Sequence, residues 1–306
     1  MQAINQPLKR HSGRGREISK ALKGLAFISP WLVGFVAFGV LPILASFYFS
    51  LTTYSILQAP RWTGFDNYVQ LLADDRLFRV SLGNTLYYTF FSNLIGGVVA
   101  LSLAMLLNMN VRFLSFYRTV FYVPVVVPTV ASAIIWLWLF NPQYGVFNFI
   151  LSAFGAKPIP WLTSPEWSKP SLILMSLWSV GNAIVIFLAA LQDIPKELME
   201  AAELDGASAW QKVWRIQIPM ISSVVFFNLV IGLIGSFQVF SQAYVMTSGG
   251  PADSTLFYAL YLYQNAFQFF KMGYASAQAW ILFVIILVVS LLVFKSSNRW
   301  VYYAGR

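Results

Sequence analysis

Cysteine is absent from the 306 residues and histidine occurs once, at His11. Zinc sites made of Cys and His, thiol nucleophiles, and Ser-His or Cys-His catalytic pairs have no residues to be built from, so no metal site is expected. Charge is scarce as well. Asp, Glu, Lys and Arg make up 10% of the chain, against about a quarter in an ordinary soluble domain. A phosphate loop is also missing: the nearest approach, Gly206 to Val213, has Gln211 and Val213 where Gly and Ser or Thr are needed. This chain should bind no ATP and no cofactor of its own.

What is abundant is apolar surface. Hydrophobic residues make up 58% of the chain, and the mean hydropathy is +0.66. A core surrounded by water cannot hide that much, so the fold class expected is an all-α polytopic membrane protein. The net charge of +9 does not point to nucleic acid, because six of the 20 basic residues crowd into the first 23 positions, ahead of a long uncharged run. That is the pattern of a basic flank on the cytoplasmic side of a membrane.

A charge at the centre of an inserted helix costs roughly 2.5 to 3.5 kcal/mol, so gaps between charges locate spans. Six gaps stand out, from Lys23 to Arg61, Arg79 to Arg112, Arg118 to Lys157, Lys169 to Asp193, Arg215 to Asp253 and Lys271 to Lys295. They predict six transmembrane helices near Leu25 to Leu51, Leu82 to Leu107, Thr119 to Phe140, Ser171 to Leu191, Met220 to Tyr244 and Ala275 to Phe294. The apolar stretch of the first is too long for a cleavable signal, so it reads as a retained span. Counting Lys and Arg on alternate loops gives 14 on the N-terminal side and 6 on the other. Both termini are therefore expected in the cytoplasm. The organisation read from the sequence is a disordered basic tail over 1–24, a six-helix transmembrane domain over 25–295, and a cytoplasmic tail over 296–306. The outer loops Thr52 to Ser81 and Asn141 to Pro170 carry Trp62, Trp161 and Trp167, suited to an interfacial belt; no chemistry is assigned to them.

These spans contain no ionisable residue. That disfavours a proton-coupled carrier, although oxygen ligands alone can hold sodium, and it disfavours a membrane-embedded enzyme. Energy from ATP would have to arrive through another protein.

The loop over 193–219, DIPKELMEAAELDGASAWQKVWRIQIP, is the most informative stretch. Asp193 and Pro195 start a helix, with Glu197 and Glu200 near its positive end, and Gly206 breaks it. A second short helix is expected from about Ala207 to Arg215, with Trp210, Val213 and Trp214 on one face, and Pro219 marks the entry to the fifth span. The physics alone describes an amphipathic hairpin, and a helix resting on lipid headgroups would satisfy it. The residue order is more specific: Glu200-Ala201-Ala202, Gly206 after three residues, then Ile216, Ile218 and Pro219. This resembles the EAA loop of ABC importer permease subunits, with Ile218 in place of the usual Leu.

The resemblance extends over nearly the whole chain and is to the carbohydrate branch, the maltose-type and glycerol-phosphate-type permeases. Ala190-Leu191-Gln192, Ile194-Pro195, Trp62 to Tyr68, Asn84-Thr85, Gly249-Gly250-Pro251 and Phe267 to Tyr274 also look like that branch. It implies a bacterial inner-membrane importer containing a second, related permease subunit, two cytoplasmic ATPase subunits that hold ATP and Mg, and an extracytoplasmic solute-binding protein, all in membrane lipid. In such an importer Glu200, Ala201, Ala202, Asp205 and Gly206 would form the coupling helix that docks on the ATPase.

Candidates for a sugar path are Thr129, Trp178, Ser179, Asn182, Ser236 and Gln238. By the resemblance each falls at or near a position where the maltose-type permease contacts sugar, and each has a second reading as a helix-to-helix hydrogen bond or plain packing. Asn182 stands where the maltose-type protein has an aromatic. Pro124, Pro128, Gly232 and Gly235 either open a cavity or permit close packing. With no Lys or Arg in the expected spans, neutral sugars are favoured; a polyol or a glycerol phosphate is the alternative within the importer reading, and an autonomous ion-coupled carrier the alternative outside it.

Overall fold

The computed structural model describes residues 13–109 and 112–302. The expectations for residues 1–12, with Lys9, Arg10 and His11, and for the end of the C-terminal tail at 303–306 lie outside them.

Helix α1 (Gly13–Phe35) passes through a π turn at Val36–Val40 into α2 (Leu41–Ser50). Helix therefore begins inside the stretch expected to be a disordered tail. An antiparallel hairpin follows, β1 (Thr52–Ser55) with β2 (Gln58–Trp62), paired Thr52 to Trp62 and Thr53 to Arg61. Then come α3 (Asp66–Ala73) and α4 (Arg76–Asn108). The 33 residues of α4 make it about 50 Å long. Its start is fixed by Asp75, whose carboxylate accepts from the Phe78 N–H at 2.9 Å.

The third span is not one helix. It is α5 (Leu114–Val126) and α6 (Thr129–Leu139), set at 103° to each other. Pro128 supplies no N–H to continue the ladder, and it forces Val127 into an extended conformation at φ −72°, ψ 125°. After α7 (Val146–Ala153), the fourth span is α8 (Pro165–Ser176), a 3-10 turn at Leu177–Ser179, and α9 (Gly181–Gln192), bent by 49°. Gly181 occupies the bend because α5 lies against it: a Cβ there would stand 2.3 Å from the Phe121 carbonyl oxygen.

Next come α10 (Lys196–Leu204), then α11 (Ala209–Lys212), a π turn at Val213–Gln217 and α12 (Ile218–Met220), a run over Ala209–Met220 that is bent by 66° against α13 (Ser222–Phe237). The second helix of the predicted hairpin thus runs on past Arg215, and the fifth span stops at Phe237 rather than reaching Tyr244. The chain closes with α14 (Ser241–Met246), α15 (Tyr258–Tyr263), a π turn at Gln264–Gln268, and α16 (Met272–Ser297). Among the described residues three helices are long and apolar enough to cross a bilayer by themselves, and counting each of the three bent pairs as one span gives six. The protein is an all-α multi-pass membrane protein.

Two apolar clusters hold the bundle. One, toward the β-hairpin end, contains Phe78, Tyr88, Trp136, Phe140, Tyr258 and Tyr274. The other gathers Ala100, Ala104, Leu107, Leu188, Leu191 and Ile221 at the opposite end, where the alanines of α4 let α9 approach closely. The apolar part of the first span is unburied, as expected of a surface that faces lipid or another membrane subunit.

Helices α4 and α8 begin further out than the charge gaps predict. Arg76 and Arg79 lie in the first turn of α4, and Glu166 and Lys169 lie in α8. The helices of the second and fourth spans therefore carry ionisable groups at their outer ends, a correction to the expectation of charge-free spans. Their energetic cost is reduced because they sit in the end turns of the helices.

Candidate functional site

Two places concentrate polar groups in the bundle, and a third lies at its Asp193 to Pro219 end. The first is a groove between α4, α8–α9 and α13. Its upper part is a hollow of about 530 Å³, lined by Tyr88, Ser92 and Asn93 of α4, Thr129 of α6, Ser176 and Ser179, and Gly232, Gly235, Ser236, Gln238 and Gln242. Its lower part, about 450 Å³, shares Ser92, Asn93, Ser179 and Gly232 and continues down past Asn182, Phe187, Asn228 and Leu229. No Asp, Glu, Lys, Arg or His lines either part among the described residues.

Of the six path candidates, the fold brings Thr129, Ser179, Ser236 and Gln238 into the upper hollow and Asn182 into the lower one. It does not bring Trp178 there. That ring meets Trp136 edge to face at 6.1 Å and packs on the apolar cluster, so its packing reading is the one the geometry shows. Thr129 reaches the hollow because the Pro128 break lets α6 start beside it.

Sequence reasoning missed α4 as a wall. Asn93 donates to Thr89 O and to Ser236 Oγ, both at 2.7 Å, joining α4 to α13. The available signal was an uncharged amide in the middle of the second span. The glycine question resolves residue by residue. A Cβ on Gly232 would stand 2.3 Å from Asn93 Oδ1, whereas one on Gly235 would meet nothing within 4 Å. Gly232 permits close packing and Gly235 leaves the hollow open.

The second place is at the β-hairpin end, where Asp75 ties three helices together. Tyr261 of α15 and Tyr274 of α16 both donate to its Oδ2 at 2.5 Å. Burial pushes the Asp75 carboxyl up, but the hydrogen bonds from Tyr261, Tyr274 and the backbone outweigh it and hold the group below the usual carboxylate range. Burial, with the neighbouring Asp75 carboxylate, raises the Tyr261 phenol. A hollow of about 210 Å³ beside them is lined by Gln70, Asp74, Asn265 and Lys271. Nearby, Asn84 donates to the carbonyls of Asp253 at 2.7 Å and Leu256 at 3.1 Å, and Thr85 accepts from the Tyr258 N–H at 2.8 Å. The Asn84-Thr85 pair thus anchors the loop after Gly249-Gly250-Pro251 to α4.

The third place is the hairpin over 193–219. Helix α10 ends in a Schellman arrangement: the Ala207 N–H bonds Ala202 O at 2.9 Å and the Gly206 N–H bonds Glu203 O at 3.0 Å. Gly206 takes φ +75°, the left-handed value that such an ending demands and glycine accepts without strain. The next helix begins with a capping box, in which the Ser208 N–H donates to Gln211 Oε1 at 2.7 Å and the Gln211 N–H to Ser208 Oγ at 3.3 Å. Lys212 bridges back to Glu203 at 2.6 Å. Glu200, Ala201 and Asp205 are exposed and Ala202 is half-buried. Leu204 is 91% exposed and Trp210 70% exposed, so a large apolar surface stands bare on an otherwise polar tip.

The family described as "Binding-protein-dependent transport system inner membrane component" matches residues 93–302. The probable ABC transporter permease protein YesP of Bacillus subtilis is 40% identical over 298 residues, 96% of either chain. The lactose transport system permease protein LacF of Rhizobium radiobacter is 34% identical, covering 91% of this chain and 95% of its own. Among solved structures, a chain of a bacterial alginate ABC transporter, crystallised with a periplasmic protein carrying an alginate pentasaccharide, superposes with a TM-score of 0.83 at 26% identity, covering 94% of this chain and 98% of that one. The match over most of the chain, together with full-length relatives, places this protein in the family of binding-protein-dependent transport system inner membrane components, as a permease subunit of an ABC importer.

Proposed function

We propose that this permease carries a carbohydrate along the groove between α4, α9 and α13, driven by ATP hydrolysed in partner subunits. The observation that carries this reading is the lining of the groove. Hydroxyls and amides from Ser92, Asn93, Thr129, Ser179, Ser236 and Gln238 surround a hollow with no ionised group. Such groups exchange hydrogen bonds with sugar hydroxyls at little cost, whereas a bare ion would find no counter-charge there. The sugar named for LacF and the alginate importer point the same way.

In this reading the hairpin over 193–219 faces the cytoplasm, as do both termini. Glu200 makes a polar contact to the ATPase, Ala201 and Ala202 pack into its groove, and Asp205 and Gly206 form the elbow. The exposed Leu204 and Trp210 give that contact an apolar part. A related second permease completes the path, and an extracytoplasmic solute-binding protein delivers the sugar at the β-hairpin end. ATP and Mg stay in the two ATPase subunits. Closure of the ATPase pair would draw the docked hairpins together and turn the groove outward, and hydrolysis would reset it.

The test is sugar-stimulated ATPase activity of the reconstituted complex, wild type against Glu200→Ala and Gly206→Asp, with co-purification of the ATPase measured in parallel. Loss of stimulation or association in correctly inserted variants supports the docking role. Full coupling in both variants removes it, and uptake without any ATPase removes the importer reading.

A further inference from the structure

The groove is free of charge, but α8, one of the helices that form it, carries a cation above it at Lys169. On α4, Leu94, Val98 and Leu101 line the lower hollow, and seven residues before Leu94 on the same stripe stands Tyr87. On α8, Ser176 lines the upper hollow, and seven residues before it stands Lys169. Two helical turns raise these positions by about 10 Å toward the β-hairpin end. There the two stripes meet: the Lys169 ammonium lies 5.4 Å from the centre of the Tyr87 ring.

Lys169 is held in place from behind. Its Nζ donates to Asn84 Oδ1 at 3.0 Å, and both amide hydrogens of Asn84 are committed to the carbonyls of Asp253 and Leu256. The Asn84 oxygen therefore has to face the lysine. One of the three ammonium donors is used and the tyrosine face takes up part of the charge. No carboxylate neutralises it: among the described residues the one ion pair is Glu203 with Lys212, at the other end of the bundle, and Glu166, one turn away on α8, does not reach. A half-buried cation fixed by a preset amide and lacking a counter-ion carries a desolvation cost that an anionic ligand would relieve.

We infer that Lys169 is a carboxylate-recognition residue at the β-hairpin mouth of the groove, and that the substrate is an acidic oligosaccharide with a uronic acid unit. The inference rests on the proposed sugar path and narrows its cargo. The carboxylate meets the ammonium and the Tyr87 face at the rim, while the hydroxyls of the remaining units enter the neutral groove below. The neutral sugars favoured by the sequence alone follow from placing Lys169 outside the span.

The test is ATP-dependent uptake by the complete importer in proteoliposomes, supplied with a mixture of neutral oligosaccharides from starch and uronate oligosaccharides from pectin, each quantified by mass spectrometry. Wild type is compared with Lys169→Gln and Lys169→Arg. The expected result is uptake of the uronate species, lowered about tenfold by Lys169→Gln, as for loss of a hydrogen bond to a charged group, and restored by Lys169→Arg. A purely structural Lys169 would lower neutral and acidic uptake together, and that result overturns the inference. So does wild-type uptake confined to neutral sugars. Absence of ATP-dependent uptake of any sugar would instead overturn the sugar-path reading beneath it.

Discussion

Gly181, Gly232 and Gly235 show how one residue type serves different needs within 55 positions. At Gly181 the obstacle to a side chain is the backbone oxygen of Phe121, which cannot rotate away. Gly181→Ala should therefore cost about 1–3 kcal/mol, as for overpacking of a tight core, and lower the thermal unfolding midpoint of the detergent-solubilised protein. At Gly232 the obstacle is the end of the Asn93 side chain, which can move only by giving up its bonds to Thr89 O and Ser236 Oγ. Gly232→Ala should cost on the order of 1 kcal/mol, the worth of such a hydrogen bond, while Gly235→Ala should leave the midpoint unchanged or slightly raised. Equal midpoints for the Gly232 and Gly235 variants would contradict this division of roles. Gly206 is different again: a Cβ there meets nothing, so Gly206→Ala pays only for the left-handed φ of +75°, about 1 kcal/mol. Faster hydrogen exchange across residues 196–217 would register it.

At the scale of elements, the hairpin over 193–219 was legible because its signals are local. The Asp193-Pro195 start and the Gly206 stop each act on the helix turn beside them, whereas the Ser208–Gln211 cap emerges only from the structure. The spans were legible as apolar stretches, but their shapes were not. Charge spacing cannot show that Pro128 turns α6 by 103° away from α5, nor that α8 begins early enough to include Lys169. The Asp75 latch was invisible because its partners Tyr261 and Tyr274 are almost 200 positions away. Its pH dependence follows from the direction of the shift. The folded-state carboxyl is held below its ordinary value, so the latch stabilises fully above the unfolded-state value and loses that contribution as pH falls through the lowered one. Unfolding midpoints measured between pH 6 and pH 3 should fall more steeply for the wild type than for Asp75→Asn. Parallel curves would show that the carboxylate does not tie α4 to α15 and α16.

The whole molecule joins a capped hairpin at one end, a latch at the other and a neutral groove between them. Family membership explains why these parts occur in one chain, and the geometry shows which residues line the groove. The groove was only partly readable in advance: five of six path candidates line it, yet its α4 wall emerges only when Asn93 is seen to meet Ser236 across the bundle. That wall also provides the most direct test. The Asn93→Leu and Ser236→Leu double variant removes two opposed polar groups from the upper hollow and substitutes apolar bulk, far from the hairpin. The decisive measurement is initial ATP-dependent sugar uptake into proteoliposomes by this variant, with ATPase co-purification as the control. The expected result is an intact complex whose uptake falls at least tenfold, as when buried polar contacts to a ligand are lost. An intact complex with wild-type uptake would contradict it and send the sugar by another route.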